Sequence, residues 1–147
     1  MNPTSADETI VKEISIDAPA ERIFAALTEP NQRLTWWGGD YFKGEHMESD
    51  LRLGGKWMMR GTAWGDKPFE VSGEYRVVER PSALAFTWLP SWPGDGAESL
   101  VRFDLEETAG ITLVRVTHSG LTSENARNHR GWPEILAWLQ AFVERAG

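Results

Sequence analysis

The chain has 147 residues, a formal net charge of −7 at pH 7 and a pI near 5.0, and 41% of its residues are hydrophobic against 25% charged. This length and balance are typical of one soluble folded domain with a substantial core. The acidic net charge and the lack of a cluster of Lys and Arg argue against nucleic-acid binding. The sequence has no apolar run long enough for a transmembrane helix. It has no cysteine, which excludes disulfides and Cys-ligated metals.

The N-terminal part of the chain predicts one strand followed by two short helices. Residues 1–9 are small and polar, and we expect them to form a disordered tail. From Ile10 to Ile16, apolar residues at alternating positions indicate a half-buried strand. Pro19 then suits the first turn of a helix. A second helix is predicted from Pro30 to about Trp36, with Gly38 closing it in a left-handed conformation.

The rest of the chain predicts antiparallel strands and then an amphipathic helix. Between Gly39 and His118, alternating apolar residues are divided by Gly, Pro and Asp turns, including a predicted hairpin connection at 65–68. Residues 122–130 are expected to form a turn or short helix. From Trp132 to Val143 the apolar residues follow helical spacing and form a wide face. Such a face must pack on a large partner, and a curved sheet is the one available.

The two adjacent tryptophans of "LTWWGG", Trp36 and Trp37, represent a large apolar area, about 150–250 Å² for each ring. Adjacent helical residues differ by about 100° in direction. We therefore predict that one ring packs into the core and that the other reaches a pocket mouth or the surface.

Several motifs in order resemble one known family. They are "ISIDAPAERIFAALTEP", "WWGG", "DLRLGGKW", "GEYRVVERPSALAFTW", "THSGL" and "GWPEILAWLQAF". Together they resemble the START-like superfamily, also called SRPBCC, and within it the branch named for homology to activators of the heat-shock-protein ATPase. The resemblance implies an α+β helix-grip fold, with a curved antiparallel sheet wrapped around a long C-terminal helix, a cavity between them and two short helices after the first strand. It also implies a single START-like domain over residues 10–147.

The candidate ligand-binding residues are those that the strand and helix patterns direct towards the interior, with one ring of the tryptophan pair. They are Trp37, Trp57, Met59, Trp88, Val114, Val116, His118, Trp132 and Leu136. A concave, mostly apolar pocket with a few polar groups is the usual small-ligand site. The alternative is that these rings fill the interior and leave no cavity. The sequence leaves both interpretations open.

His118 is the polar residue of most interest, because strand alternation places it on the side of Val114 and Val116. It could hydrogen-bond a ligand or act as acid or base, or it could be a strand-end histidine satisfied by its neighbours. No second catalytic group can be placed beside it, so catalytic residues are unknown. His46, His118 and His129 lack a metal-binding spacing, and we expect no metal.

The residues and the resemblance together favour binding of a small hydrophobic or aromatic ligand between the sheet and the C-terminal helix, with no defined reaction. Two alternatives stay open. One is an enzyme of cyclase or hydrolase type that uses the same pocket with His118 as acid or base. The other is a co-chaperone-type interaction protein, as the family's name suggests. We expect no cofactor, a cytoplasmic location and a small apolar molecule as partner, without nucleic acid or membrane; a homodimer is left open.

Overall fold

The computed structural model describes residues 8–38, 42–63, 66–91, 98–121 and 131–146. In this part of the chain, one antiparallel sheet contains seven strands: β1 (Glu8–Ile16), β2 (Phe42–Ser49), β3 (Lys56–Ala63), β4 (Lys67–Glu79), β5 (Ala83–Pro90), β6 (Ser99–Thr108) and β7 (Ile111–Leu121). The helices are α1 (Ala20–Thr28), α2 (Pro30–Trp36) and α3 (Trp132–Ala146).

The strand order is β1-β7-β6-β5-β4-β3-β2, so β1 and β2 are the two edges of the sheet. The connection that carries α1 and α2 therefore crosses from one edge to the other. Helix α2 packs against β2, and α3 packs against β1 and against both short helices. The predicted helix-grip architecture is confirmed: a curved antiparallel sheet, a long C-terminal helix and two short helices after the first strand.

The hydrophobic core fills the space between one face of the sheet and the helices. Alternate residues of the central strands point into it because successive side chains of a strand lie on opposite faces. The buried residues of β6, β7 and α3 are Ser99, Val101, Phe103, Leu105, Thr112, Val114, Val116, His118, Leu121, Trp132, Leu136, Leu139 and Val143. The apolar faces predicted from the alternating pattern of the strands and from the helical spacing of α3 thus pack together in one core.

The connection between β2 and β3 is an exposed structural turn. The Gly55 amide donates to the Arg52 carbonyl at 2.8 Å, and Gly54 adopts a positive φ of 81°. The Arg52 side chain donates to the Asp50 carboxylate at 2.7 Å. In this turn the glycines supply the bend, and the contact between Arg52 and Asp50 holds it.

Two predicted boundaries are corrected. Strand β1 begins at Glu8, which pairs with Leu121 of β7, so Glu8 and Thr9 belong to the first strand and not to the predicted tail. Lys67 and Pro68 lie inside β4, opposite Ala63 and Thr62, so the β3–β4 connection is shorter than predicted. Residues 1–7 and 122–130 lie outside the described residues. In the part of the chain that the structure covers, no helix is long and apolar enough to cross a membrane.

Candidate functional site

A cluster of aromatic rings lies where α2, the sheet and the start of α3 meet. We call it the aromatic cluster, and its members are Trp36, Trp37, Trp57, Phe86, Trp88, Phe103 and Trp132. Neighbouring ring centroids lie 5.2–6.2 Å apart. These separations are those of tilted and edge-to-face pairs, the preferred aromatic geometries. Strands β3, β5 and β6 supply rings from the sheet, and the helices close over them.

The structure buries every residue that the sequence predicted for the site. Trp37, Trp57, Trp88 and Trp132 are members of the aromatic cluster, and the His118 ring lies edge-on to Trp132 at 5.8 Å. The remaining predicted residues belong to the same continuous core: Met59, Val114, Val116 and Leu136. The predicted set is therefore one neighbourhood, while its role in binding a ligand stays a prediction.

The prediction that Trp36 and Trp37 divide between core and surface is wrong. Trp36 is 5% exposed and Trp37 is 4% exposed. The helical angle of about 100° does not apply to the pair, because α2 ends at Trp36 and Trp37 has an extended backbone with ψ of 124°. Trp36 donates its indole N–H to the Ala26 carbonyl at 2.8 Å, and Trp37 turns towards Trp88 and Trp132.

Arg33 lies among these rings, although the sequence-based analysis did not select it. Its side chain is 1% exposed. The guanidinium carbon lies 4.6 Å from the Trp37 ring centroid, 4.9 Å from that of Trp57 and 5.0 Å from that of Phe86. Its Nε and Nη2 atoms are buried, and no described residue provides them with a hydrogen-bond acceptor. Aromatic faces therefore surround the cation, and Nε and Nη2 have no oxygen partner among the described residues.

Burial also changes the ionisation of Arg33. Desolvation lowers the pKa of its guanidinium to about 10, and the nearby Tyr75 hydroxyl opposes this shift. A pKa of about 10 still leaves Arg33 positively charged at neutral pH. The Tyr75 hydroxyl is hydrogen-bonded to Ser49 at 2.6 Å. The interior of the aromatic cluster therefore holds a positive charge.

His118 lies at the other side of the aromatic cluster and contacts two polar groups. Its Nδ1 accepts from the Trp132 indole N–H at 3.2 Å, and its Nε2 lies 2.7 Å from the Ser99 hydroxyl. Because an indole N–H can only donate, Nδ1 is unprotonated and the neutral ring carries its proton on Nε2. His118 therefore donates to Ser99. In this tautomer it cannot take a proton from the Ser99 hydroxyl, so the pair is not a nucleophile and its base.

The indole ring of Trp57 lies against Gly73 on the neighbouring strand β4, a position that has no side chain. A Cβ atom at Gly73 would lie 2.6 Å from the Trp57 indole nitrogen and 1.9 Å from the Thr87 carbonyl oxygen. The Trp57 Nε1 atom is buried and has no acceptor in the part of the chain that the structure describes. The aromatic cluster thus contains a second buried donor beside Arg33 whose hydrogen bond is not made by the protein.

Four open surface grooves of about 320–500 Å³ are lined by described residues, and of the predicted site residues only Trp57 lines one of them. Over the described ranges, no three His, Cys, Asp or Glu side chains lie close enough to hold one metal ion. His46 contacts Glu48 at the surface at 2.9 Å, and His129 lies outside the described residues.

The family model for Activator of Hsp90 ATPase homolog 1-like protein matches residues 17–144. The chain belongs to this family. The match runs from the end of β1 to the last turns of α3, so it includes every residue of the aromatic cluster, Arg33 and His118. A comparison with curated protein sequences found no match.

Solved structures show the same fold as this Hsp90 ATPase activator homolog 1-like domain. Protein CV1439 from Chromobacterium violaceum is 23% identical with a TM-score of 0.82, covering 92% of this chain and 96% of that one. Protein MLL2253 from Mesorhizobium loti is 24% identical with a TM-score of 0.76, covering 95% and 99%. CalU16 from Micromonospora echinospora is 27% identical with a TM-score of 0.67, covering 92% and 75%.

One signal in the sequence of this family member could have indicated Arg33. It precedes Trp37 by four residues, and residues so spaced share a helix face. An arginine three and four residues before two adjacent tryptophans is therefore a candidate for a cation stacked on a ring. Nothing of this kind could have identified Trp57 or Phe86 as its other partners, because they come from distant strands.

Proposed function

We propose that this protein binds a small hydrophobic or aromatic molecule within the aromatic cluster, between the sheet and α3. The observation that carries this proposal is a pair of buried donors within the aromatic cluster. Nε and Nη2 of Arg33 and Nε1 of Trp57 have no acceptor among the described residues. An unsatisfied buried donor costs about 1–3 kcal/mol. A ligand with an apolar body and an oxygen acceptor would remove that cost.

The competing interpretation is a core that the rings fill by themselves. Ring centroids 5.2–6.2 Å apart are compatible with it, and a ligand would then enter by displacing one or more rings. Close packing alone gives no reason to keep a cation and a second donor without acceptors, because buried polar groups in proteins are nearly always hydrogen-bonded. The unsatisfied donors therefore favour a binding site over a purely structural core.

The two other functions find less support in the geometry. An enzyme with His118 as general base needs the ring to accept a proton at Nε2, and the contact with Trp132 puts the proton there already. A co-chaperone needs a docking surface, whereas the features described above are interior. We therefore place ligand binding first.

Binding of prodan, a neutral naphthalene ketone whose carbonyl oxygen can accept a hydrogen bond, tests this proposal. We expect its fluorescence to rise on addition of the protein, with energy transfer from tryptophan and a dissociation constant in the micromolar range. Trp57→Leu should weaken binding by about tenfold, which corresponds to 1.4 kcal/mol, the scale of one lost hydrogen bond or ring contact. Leu53→Ala, at a surface residue that is 71% exposed, is the matched control and should leave binding unchanged.

Two results would contradict the proposal. One is the absence of binding by this probe and by a panel of neutral aromatic and fatty molecules. The other is binding that Trp57→Leu and Leu53→Ala affect equally, since the probe would then occupy a surface remote from the aromatic cluster.

A further inference from the structure

We propose that the natural ligand carries a carboxylate or a similar acidic group, and that Arg33 is the residue that binds it. This inference rests on the proposed function and adds the charge and the orientation of the ligand. The acidic group would lie against the guanidinium inside the aromatic cluster, and the apolar body would lie among the rings.

The first argument is the position of the guanidinium. Trp37, Trp57 and Phe86 contact it through their ring faces, at 4.6–5.0 Å from its central carbon. Ring faces attract the cation, but they do not provide the in-plane acceptor that each N–H group requires. A partner for Arg33 must therefore approach in the plane of the guanidinium.

The positions of the two Arg33 nitrogens that lack acceptors among the described residues also point to an acidic group. Nε and Nη2 of Arg33 lie on the same edge of the planar guanidinium, the edge with which arginine grips both oxygens of a carboxylate. The chain shows this geometry at its surface. Arg102 uses its own Nε and Nη2 to donate to Asp104, at 3.0–3.1 Å. The same edge is presented at Arg33, with no protein carboxylate opposite it.

The third argument is charge. Other cations of the described chain are paired with acidic side chains: Arg80 with Glu21, Arg102 with Asp104 and Arg115 with Glu13. Arg33 has no such ion pair in the described residues, and Tyr75 is the titratable group that influences it. Because a buried charge is stabilised by an opposite charge more than by a neutral acceptor, an acidic ligand fits better than an amide or an ester.

Isothermal titration calorimetry with 2-naphthoate and its neutral analogue 2-naphthamide tests the inference. We expect 2-naphthoate to bind about tenfold or more tightly than 2-naphthamide, as a charge-assisted bidentate contact implies. Arg33→Met should remove this difference, because it costs 2-naphthoate more affinity than it costs 2-naphthamide. Arg33→Lys keeps the positive charge but lacks the planar edge formed by Nε and Nη2, so it should retain part of the preference for 2-naphthoate. Arg102→Met is the matched control and should change neither affinity.

Several results would overturn the inference. Equal affinity for the two naphthalenes would do so, and so would an equal loss of both in Arg33→Met, since the residue would then only support the fold. Sodium acetate binding as tightly as 2-naphthoate would show a simple anion site without an apolar pocket. Circular dichroism establishes that each variant is folded, and the Arg33→Lys comparison stands if Arg33→Met does not fold.

The outcomes also separate this inference from the proposed function. If neutral probes bind and 2-naphthoate has no advantage, the aromatic cluster binds ligands and the role of Arg33 is wrong. If no probe binds, charged or neutral, the proposed function itself fails.

Discussion

Gly73→Ala is expected to destabilise the domain by about 3 kcal/mol or more, at the upper end of the cost of overpacking. The new methyl group would lie 1.9 Å from the Thr87 carbonyl oxygen and 2.6 Å from the Trp57 indole nitrogen. Relief requires that the backbones of β4 and β5 separate, because the carbonyl belongs to a paired strand and cannot rotate away. Trp57 would move with them, so ligand affinity should fall as well.

Urea unfolding and a thermal melt measure this effect. At roughly 2–4 °C per kcal/mol for a chain of this size, the midpoint temperature of the thermal melt should fall by about 6–12 °C. Gly131→Ala is the matched control, since a Cβ atom there meets no described residue within 4 Å. It should change stability by less than about 0.5 kcal/mol, as surface substitutions usually do. A Gly73→Ala protein as stable as Gly131→Ala would show that Trp57 does not pass this close to β4.

Arg33→Met is expected to have the opposite sign and to stabilise the unliganded protein by about 1–3 kcal/mol, as found when buried charges are replaced by apolar residues. Burial lowers its pKa to about 10, which represents a cost of roughly 3 kcal/mol for holding the charged form. Ring contacts return about 1–2 kcal/mol of that cost. Methionine has a similar length and needs no acceptor, so the core should keep its packing.

Equilibrium unfolding at pH 7 without ligand measures this difference. Arg102→Met is the control, because Arg102 is half-exposed and paired with Asp104. It should cost no more than about 1 kcal/mol, the usual value of a surface ion pair. A gain in stability at Arg33 together with a loss of affinity for acidic ligands is the pattern of a residue kept for function. An Arg33→Met protein less stable than the original would instead show that Arg33 holds the fold together.

Much of the fold could be predicted because the patterns are local. Alternation along β7 placed Val114, Val116 and His118 on the inner face, and helical spacing placed Trp132 and Leu136 there too. The order of the motifs then indicated the helix-grip fold, which decides how these faces meet. The strand boundary at Glu8 was missed because a short polar stretch before a strand resembles a tail.

The polar part of the candidate site was less accessible to sequence reasoning. One of Trp36 and Trp37 was expected in the core and the other at a pocket mouth or the surface, on the assumption that both are helical. Helix α2 ends at Trp36, so the helical angle between adjacent residues does not apply to them. Arg33 was not selected because arginine is mostly exposed, and only the fold brings strands β3 and β5 to it. Gly73 could have suggested a close approach in a strand, but not that Trp57 makes it.

If Arg33 and Trp57 both donate to the acidic end of a ligand inside the aromatic cluster, their side-chain N–H groups should respond together when it binds. NMR of the ¹⁵N-labelled protein titrated with 2-naphthoate tests it most directly, with the Arg33 Nε–H and Trp57 Nε1–H signals assigned from Arg33→Lys and Trp57→Phe variants. The account predicts that both signals move together to lower field as these N–H groups gain an acceptor, while that of Arg102 stays in place. Shifts confined to surface residues such as Lys56 and Arg80, with Arg33 and Trp57 unmoved at saturation, would contradict it.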